Sequence, residues 1–213
     1  MIQKLITKPY LTILPVLILV CQFASAQFHW GVKAGANISS TFIQGYTSPY
    51  AIKCNVGLFG ESNLGNRFFL LTELQYSQKG NYSYQTDLAS LFETLTLRLN
   101  YLTMPILAGI RAWKKFELVL GPELGYLLQM EYKYPEGPAR SFLNEYRRFD
   151  IGGAAGARYL FSSRLGIEFR YILGLIGTMK PEINLQGYTA TTTEKYNPNN
   201  TVFQLDIFFR VGK

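Results

Sequence analysis

The sequence predicts an all-β fold, an eight-stranded antiparallel up-and-down β-barrel that crosses a membrane. Three observations predict it: eight stretches in which apolar and polar residues alternate, connections that are alternately short and long, and polar faces made of glycines and charges of both signs. A period of two places successive side chains on opposite faces of a strand. An apolar outside around a polar inside is typical of a transmembrane barrel.

The clearest alternation lies in residues 147–175, which predict two strands joined by a turn of about three residues. In the first strand, apolar side chains oppose Asp150, Arg158 and several glycines, and in the second they oppose Glu168 and Arg170. Glycine adds no side chain and suits a crowded, curved interior. The polar face therefore fits the inside of a narrow barrel better than a surface facing water.

The other six predicted strands cover residues 28–38, 51–61, 67–79, 96–111, 116–132 and 201–211. About ten residues are enough for a tilted strand to cross a membrane. The fourth strand of the chain is the least regular. It begins with Leu97, Leu99 and Tyr101, predicted outside, opposite Arg98, predicted inside, and its alternation is lost near Pro105. We predict a bulge at Pro105, because proline cannot donate to a ladder.

The connections give a second, independent signal. Short connections follow strands two, four and six, at residues 62–66, 112–115 and 162–163. Long ones follow strands one, three, five and seven, at residues 39–50, 80–95, 133–146 and 177–200. This alternation of short and long connections, with an even number of strands, places both termini and all short turns on one side, as in outer-membrane barrels. A soluble lipocalin-like barrel also closes eight strands, but it would turn its apolar faces inward.

Residues 1–26 are predicted to be a signal peptide. A positively charged end and a short apolar run precede a small-residue cleavage pattern that ends at Ala26. Cleavage before Gln27 leaves one barrel domain, residues 27–213, and lowers the formal net charge from +7 to +5 by removing two lysines. It also leaves Cys54 as the only cysteine, so the mature chain can form no internal disulfide.

The inner face is predicted to carry thirteen charged side chains: Lys33, Lys53, Glu61, Glu73, Arg98, Glu117, Glu123, Asp150, Arg158, Glu168, Arg170, Asp206 and Arg210. Gln129 is predicted on the same face. Seven of the charges are acidic and six basic, so they could line an ion-selective pore or pair with one another and fill the lumen. We favour the filled lumen, because eight strands leave just enough room for side chains and buried charges need partners.

Seven segments together make the sequence resemble the PorT-like outer-membrane β-barrel proteins of Gram-negative bacteria: GVKAGANIS (31–39), TELQYSQKG (72–80), NYLTMPIL (100–107), GPELGYLL (121–128), FDIGGAAGARY (149–159), LGIEFRYILGL (165–175) and FQLDIFF (203–209). The resemblance covers the mature chain and implies an OmpA-like, porin-family-like eight-stranded barrel in the outer membrane. The namesake of the family is tied to secretion. The resemblance does not carry that role over, because the shared segments are scaffold positions.

The residues predict no catalytic, cofactor-binding or metal-binding site. The only histidine, His29, lies close to the predicted mature start, and an acyl-chain enzyme would have to be built around it. Histidine and cysteine are too few for a metal cluster. The glycines at 152–156 lie inside a strand with no helix after them, which argues against a phosphate loop. The dispersed basic residues do not indicate nucleic-acid binding.

Two further groups of residues are predicted to lie near the membrane surface. Aromatic side chains at strand spacing are expected to form interfacial girdles rather than ligand-stacking platforms: Trp30, Tyr76, Tyr126, Tyr132 and Tyr171. Cations fall at the short-turn side, where they are either solvated or in contact with anionic lipid headgroups: Arg67, Lys114, Lys115, Arg164 and Lys213.

These features predict a monomeric, non-enzymatic protein of the cell outer membrane with both termini in the periplasm. Its partners would be outer-membrane lipids and, through the long loops, envelope or secretion proteins, because loops carry recognition on a fixed scaffold. The alternatives are a narrow passive channel, a lipid-modifying enzyme and a soluble lipocalin-like carrier.

Overall fold

The computed structural model describes residues 28–43, 46–87, 90–133, 138–180, 182–185, 188–191 and 198–211. The predicted signal peptide, residues 1–26, lies outside the described residues, as do Lys213 and parts of each long connection. Within the described residues the chain is almost entirely β-strand, with one short 3-10 turn at Leu143–Glu145. No helix in this part of the chain is long and apolar enough to span a membrane.

The strands are β1 (Phe28–Ile43), β2 (Tyr46–Thr47), β3 (Ala51–Asn63), β4 (Phe68–Lys79), β5 (Tyr82–Asp87), β6 (Ser90–Trp113), β7 (Phe116–Lys133), β8 (Phe149–Leu160), β9 (Leu165–Gly174), β10 (Glu182–Leu185), β11 (Tyr188–Thr191) and β12 (Asn199–Arg210). Eight of them form one closed antiparallel sheet in the order β12, β9, β8, β7, β6, β4, β3, β1. The last strand closes the sheet by pairing with the first, from Gly31 opposite Arg210 to Phe42 opposite Asn199. The predicted eight-stranded up-and-down barrel is confirmed.

The connections alternate in length as predicted, and the long ones contain more strand than expected. The short turns are residues 64–67, 114–115 and 161–164. At the other end, β1 continues to Ile43 and folds back on β2, and β5 pairs with the extended start of β6. The backbone continues to pair where the alternation of side chains has faded, because neighbouring hairpin strands satisfy each other's hydrogen bonds.

The barrel is apolar outside and polar inside. Large apolar side chains stand exposed on the outer face, among them Ile52 at 71%, Leu120 at 66% and Ile207 at 62%. An apolar surface this extensive is foreign to a water-soluble monomer and is what a bilayer covers. A lipocalin-like carrier would have the opposite orientation, so that alternative does not fit.

The part of β6 next to the long connections differs from the prediction. Leu97, Leu99 and Tyr101, expected outside, are buried, and Arg98, expected in the lumen, lies on the opposite face and is only half-buried. A period of two defines two faces without saying which is inner, and here the inner face is apolar because it helps to close the barrel end.

The irregularity of this ladder also lies elsewhere than predicted. The register between β6 and β7 shifts between Asn100 and Tyr101 and again between Arg111 and Trp113, whereas Pro105 lies opposite Glu123 within an unshifted stretch. The first shift is the one nearer the long connections. The shift after Asn100 places one extra residue in β7. Gln129, predicted inside, is therefore exposed, and the next residue, Met130, is buried.

Candidate functional site

The middle of the barrel holds five interacting charges, which we call the central cluster: Lys33, Glu73, Glu168, Arg170 and Asp206. Lys33 Nζ lies 2.7 Å from Asp206 Oδ2, 3.2 Å from Glu168 Oε2 and 3.3 Å from both oxygens of Glu73. Arg170 donates to the two oxygens of Glu73 at 2.8 and 2.9 Å and also pairs with Glu168. A guanidinium fork on a carboxylate is among the strongest hydrogen-bond geometries.

The end of the barrel with the short turns holds a second group, the short-turn cluster: Glu61, Arg111, Glu117, Arg158 and Arg210. Three guanidiniums share Glu61, with Arg111 Nη2 at 2.9 Å, Arg210 Nη2 at 2.9 Å and Arg158 Nη1 at 3.1 Å from its oxygens. The same three surround Glu117, at 3.0 Å for Arg158, 3.3 Å for Arg210 and 3.6 Å for Arg111. Each of these two buried carboxylates therefore has three guanidinium partners.

Two arginines span the lumen from wall to wall. Arg170 on β9 reaches Glu73 on β4, and Arg158 on β8 reaches Glu61 on β3. In the closed strand order both pairs of strands lie four positions apart, which in an eight-stranded barrel is the opposite wall. Both guanidinium side chains are at most 1% exposed. The lumen is therefore bridged across its diameter.

Arg158 also connects the two clusters and packs against aromatic rings. Its Nε lies 3.7 Å from Glu168 Oε2 in the central cluster. Its guanidinium carbon stands 4.3 Å from the ring centroid of Phe208, 5.6 Å from that of Phe69 and 5.8 Å from that of Phe59. Cation–π attraction strengthens when the pair is shielded from water, as it is here.

Glycines make room for these three rings. Each ring lies directly opposite a glycine of the neighbouring strand: Gly31 opposite Phe59, Gly109 opposite Phe69 and Gly166 opposite Phe208. A Cβ at Gly109 would stand 2.1 Å from Phe69 Cζ. These three glycines thus leave space for inward-pointing phenyl rings.

The half of the lumen that lies toward the long connections is polar but less densely charged. Lys79 Nζ lies 2.8 Å from Glu123 Oε1 and 5.1 Å from the ring centroid of Tyr101. Asn200 donates to Asp150 Oδ2 at 3.0 Å. These side chains continue the filled interior from the central cluster toward the long connections.

The end with the long connections is closed by apolar side chains, which we call the cap cluster: Leu97, Leu99, Tyr101, Leu127, Met130 and Tyr146, with Tyr132, Phe142, Leu143 and Met179 packed against them. The hydroxyls of Tyr132 and Tyr146 are 2.9 Å apart. Burial, followed by the neighbouring Tyr132, raises the pKa of Tyr146 above its ordinary range. Tyr132, predicted in an interfacial girdle, belongs to this cap instead.

Ten of the thirteen predicted lumen charges are buried: Lys33, Glu61, Glu73, Glu117, Glu123, Asp150, Arg158, Glu168, Arg170 and Asp206. Arg210 is half-buried and joins the short-turn cluster, whereas Lys53 and Arg98 are half-buried near the long connections. The prediction missed Lys79 and Arg111, which form ion pairs inside. The alternation in β4 indicates the inner face for Lys79, although Lys79 was left out of the predicted set of lumen charges. For Arg111 the alternation in β6 is lost, so the sequence does not indicate a face.

A pocket of about 460 Å³ opens at the short-turn end, and we call it the mouth pocket. Its lining comes from the first and last strands, from two short turns and from the adjoining ends of β3, β6, β7 and β8: His29, Glu61, Arg111, Trp113, Lys114, Lys115, Glu117, Leu160, Phe161, Ser162, Ser163 and Arg210. Ser162 Oγ accepts hydrogen bonds from the backbone N–H groups of Arg164 and Leu165 at 3.2 and 3.0 Å, so it is held within its turn. Across the described ranges, no group of three or more His, Cys, Asp or Glu side chains is placed to hold a metal ion.

An apolar outer surface, a closed ladder and an interior bridged by ion pairs define the class of protein: a transmembrane eight-stranded β-barrel. The chain belongs to the outer membrane protein beta-barrel domain family, whose model matches residues 22–180. Membership implies a location in the outer membrane of the cell. The match is to this broad family, and the narrower PorT-like resemblance stays a prediction.

Solved structures of other proteins are similar to this chain. Neisserial surface protein A (NspA) is 10% identical with a TM-score of 0.56, over 85% of this chain and 97% of that one. Ail, the attachment invasion locus protein of Yersinia pestis, is 13% identical with a TM-score of 0.48, over 86% of this chain and 98% of that one. At 10% identity the likeness to NspA concerns the fold alone. No curated protein sequence matches the chain.

Proposed function

We propose that this protein is a non-conducting, non-enzymatic outer-membrane barrel that binds envelope or secretion partners through its long connections. The observation that carries the proposal is a lumen that is bridged by ion pairs in its middle and closed by apolar side chains at the end with the long connections. Arg158 and Arg170 cross the lumen, and the cap cluster closes the end with the long connections. A barrel closed in this way leaves its external segments as the place for recognition.

The cap cluster also supports the connections that would do the binding. Phe142, Leu143 and Met179 come from two different connections and pack on the same cluster. Lys180 N donates to Glu145 O at 2.9 Å, and Arg147 N donates to Thr178 O at 2.8 Å, so the two connections are also joined through their backbones. A recognition surface held in this way pays little ordering entropy on binding.

Photo-crosslinking in intact cells tests the binding role. A photoreactive residue replaces Asn144, which is exposed in a long connection, or Asn66, which is exposed in a short turn. We expect a discrete protein adduct from position 144 and not from position 66. Adducts that are identical at both positions, or absent at position 144, would contradict the proposal.

Planar-bilayer recording tests the filled lumen against the passive-channel alternative. The purified full-length protein is expected to show no steady single-channel conductance, because the two arginine bridges exclude a continuous column of water. A stable conductance from the wild-type protein would show that the bridges open, and it would favour the channel.

A further inference from the structure

The mouth pocket has a chemical character that the long-connection role does not use. Its cationic side chains come from three elements: Arg111 at the end of β6, Lys114 and Lys115 in the turn before β7, and Arg210 at the end of β12. Glu61 and Glu117 are the acidic side chains among its lining residues. Both carboxylates already lie at the floor, enclosed by arginines.

Hydrogen-bond donors exceed acceptors at this floor. A guanidinium has roughly five N–H donors and a carboxylate roughly four acceptor positions, and three arginines meet two glutamates here. Within the described residues, Arg158 Nε and Arg210 Nε are buried N–H groups without a hydrogen-bond partner. The floor therefore has N–H capacity left over for an acceptor from outside the chain.

The balance of charges also favours an anionic ligand at this end. The short-turn cluster has three cations and two carboxylates, and the central cluster beside it has two cations and three carboxylates, so the two offset each other. Lys114 and Lys115 remain in excess, and no described carboxylate lies within ion-pair distance of either. The exposed ionisable side chains of the three described short turns are all cations: Arg67, Lys114, Lys115 and Arg164.

We propose that the mouth pocket binds a phosphate group. Arg111 and Arg210 each place Nη2 2.9 Å from an oxygen of Glu61, so the two guanidiniums are close enough to contact one anion. Lys114 and Lys115 at the opening supply the compact charges that suit phosphate oxygens. The site lies at the end of the barrel opposite the long connections and does not depend on their role.

Two sources could deliver such a phosphate. Trp113 and Phe161 line the pocket and are 72% and 51% exposed on the outer edge of the barrel. Aromatic side chains at this position favour the headgroup level of a membrane. A lipid headgroup can therefore reach the pocket from the side, and a soluble phosphate can reach it from the open mouth.

Binding of inorganic phosphate, measured by calorimetry on the full-length protein in a non-ionic detergent, is the first test. We expect saturable binding that the double variant Lys114→Gln, Lys115→Gln weakens at least about tenfold, because two charge-assisted contacts are lost. Arg67→Gln, Arg164→Gln is the matched control. It removes the same charge from the same end outside the pocket, and it is expected to change the affinity less than about twofold.

The second arm uses the same proteins in nanodiscs of phosphatidylcholine, with and without phosphatidylglycerol, and native mass spectrometry to count retained lipids. Phosphatidylglycerol retained by the wild type and the control, but lost from the lysine variant, supports the proposal with a lipid headgroup as the source. Phosphate binding that persists in phosphatidylglycerol discs supports it with a soluble source. Equal losses in both double variants, or no binding in either arm, would overturn the proposal.

Discussion

The two ends of this barrel are built from opposite chemistry. At the end with the long connections, Leu99, Leu127 and Met130 are fully buried in an apolar cap. At the end with the short turns, Glu61 and Glu117 are buried among arginines beneath an open pocket. An apolar seal depends on volume and excludes water, whereas an ionic floor depends on partners and remains accessible to ions. The difference shows that one barrel can be closed by apolar side chains at one end and keep an open, charged pocket at the other.

The largest expected effect tests the ionic end. Arg158→Ala removes the guanidinium that joins Glu61, Glu117 and the central cluster. Three carboxylates, Glu61, Glu117 and Glu168, would lose a buried partner, so we expect a loss of about 4 kcal/mol in the free energy of unfolding. Urea unfolding of the refolded barrel in detergent measures it.

The control for that experiment is Arg164→Ala, which removes the same side chain from an exposed turn. It should change the free energy of unfolding by less than about 0.5 kcal/mol. Equal losses in the two variants would mean that net charge, and not the buried pairing, stabilises the ionic end.

The next effect tests the apolar end. Leu99→Ala should cost about 3 kcal/mol, because it opens a cavity in the cap where the side chain is fully buried. Leu99→Met keeps most of the volume and should cost less than about 1.5 kcal/mol in the same unfolding assay. If methionine were as harmful as alanine, the cap would depend on shape in detail and not on volume.

A smaller effect tests whether the ionic half is also packed tightly. Gly109→Ala places a Cβ 2.1 Å from Phe69 Cζ, so the ring must move, and we expect a loss of about 2 kcal/mol. Gly153→Ala is the matched substitution, since a Cβ there meets no atom within 4 Å. Comparable stabilities of the two variants would show that the phenyl ring has room to shift.

The smallest effect concerns the hydroxyl pair in the cap. Tyr146→Phe removes its hydrogen bond to Tyr132 and should cost about 1 kcal/mol near neutral pH. Because burial raises the pKa of Tyr146, the folded state favours the protonated phenol. The contribution of Tyr146 is therefore complete below its unfolded pKa of about 10 and is lost as the pH rises above that value.

The pH dependence gives that variant a second measurement. Unfolding of the wild type between about pH 8 and about pH 11 should show a loss of stability that Tyr146→Phe reduces. Tyr159→Phe, on the exposed outer face, serves as the control and should leave the alkaline loss unchanged. If the stability of Tyr146→Phe falls with pH as steeply as that of the wild type, a group other than Tyr146 causes the alkaline sensitivity.

The sequence was sufficient to predict the strands because backbone geometry imposes a period of two. The alternating lengths of the connections then indicated the topology. It was insufficient wherever both faces of a strand are apolar. In β6 the inward Leu97 and Leu99 resemble a lipid-facing pair, so the prediction inverted the strand and placed Arg98 in the lumen. The hydrophobicity of a side chain does not distinguish contact with lipid from contact with a buried cap.

Part of the interior could have been anticipated from a signal that the prediction passed over. Phe68-Phe69 and Phe208-Phe209 are adjacent pairs of large apolar residues, so one member of each must point inward. Which glycine accommodates each ring depends on the register between strands, and register is set by the closure of the whole barrel. The same holds for the ion pairs that cross the lumen, since their partners are remote in sequence.

The ladder between the first and last strands has a consequence for the order of folding. Phe42 finds its partner only when Asn199 has been made, so the sheet cannot close while the chain is still incomplete. Contacts between such distant residues form slowly. Until closure, the two terminal strands would present unpaired edges, which are templates for aggregation. Closure of the barrel is therefore a late step of folding, with the twelve-residue strand β12 as the closing element.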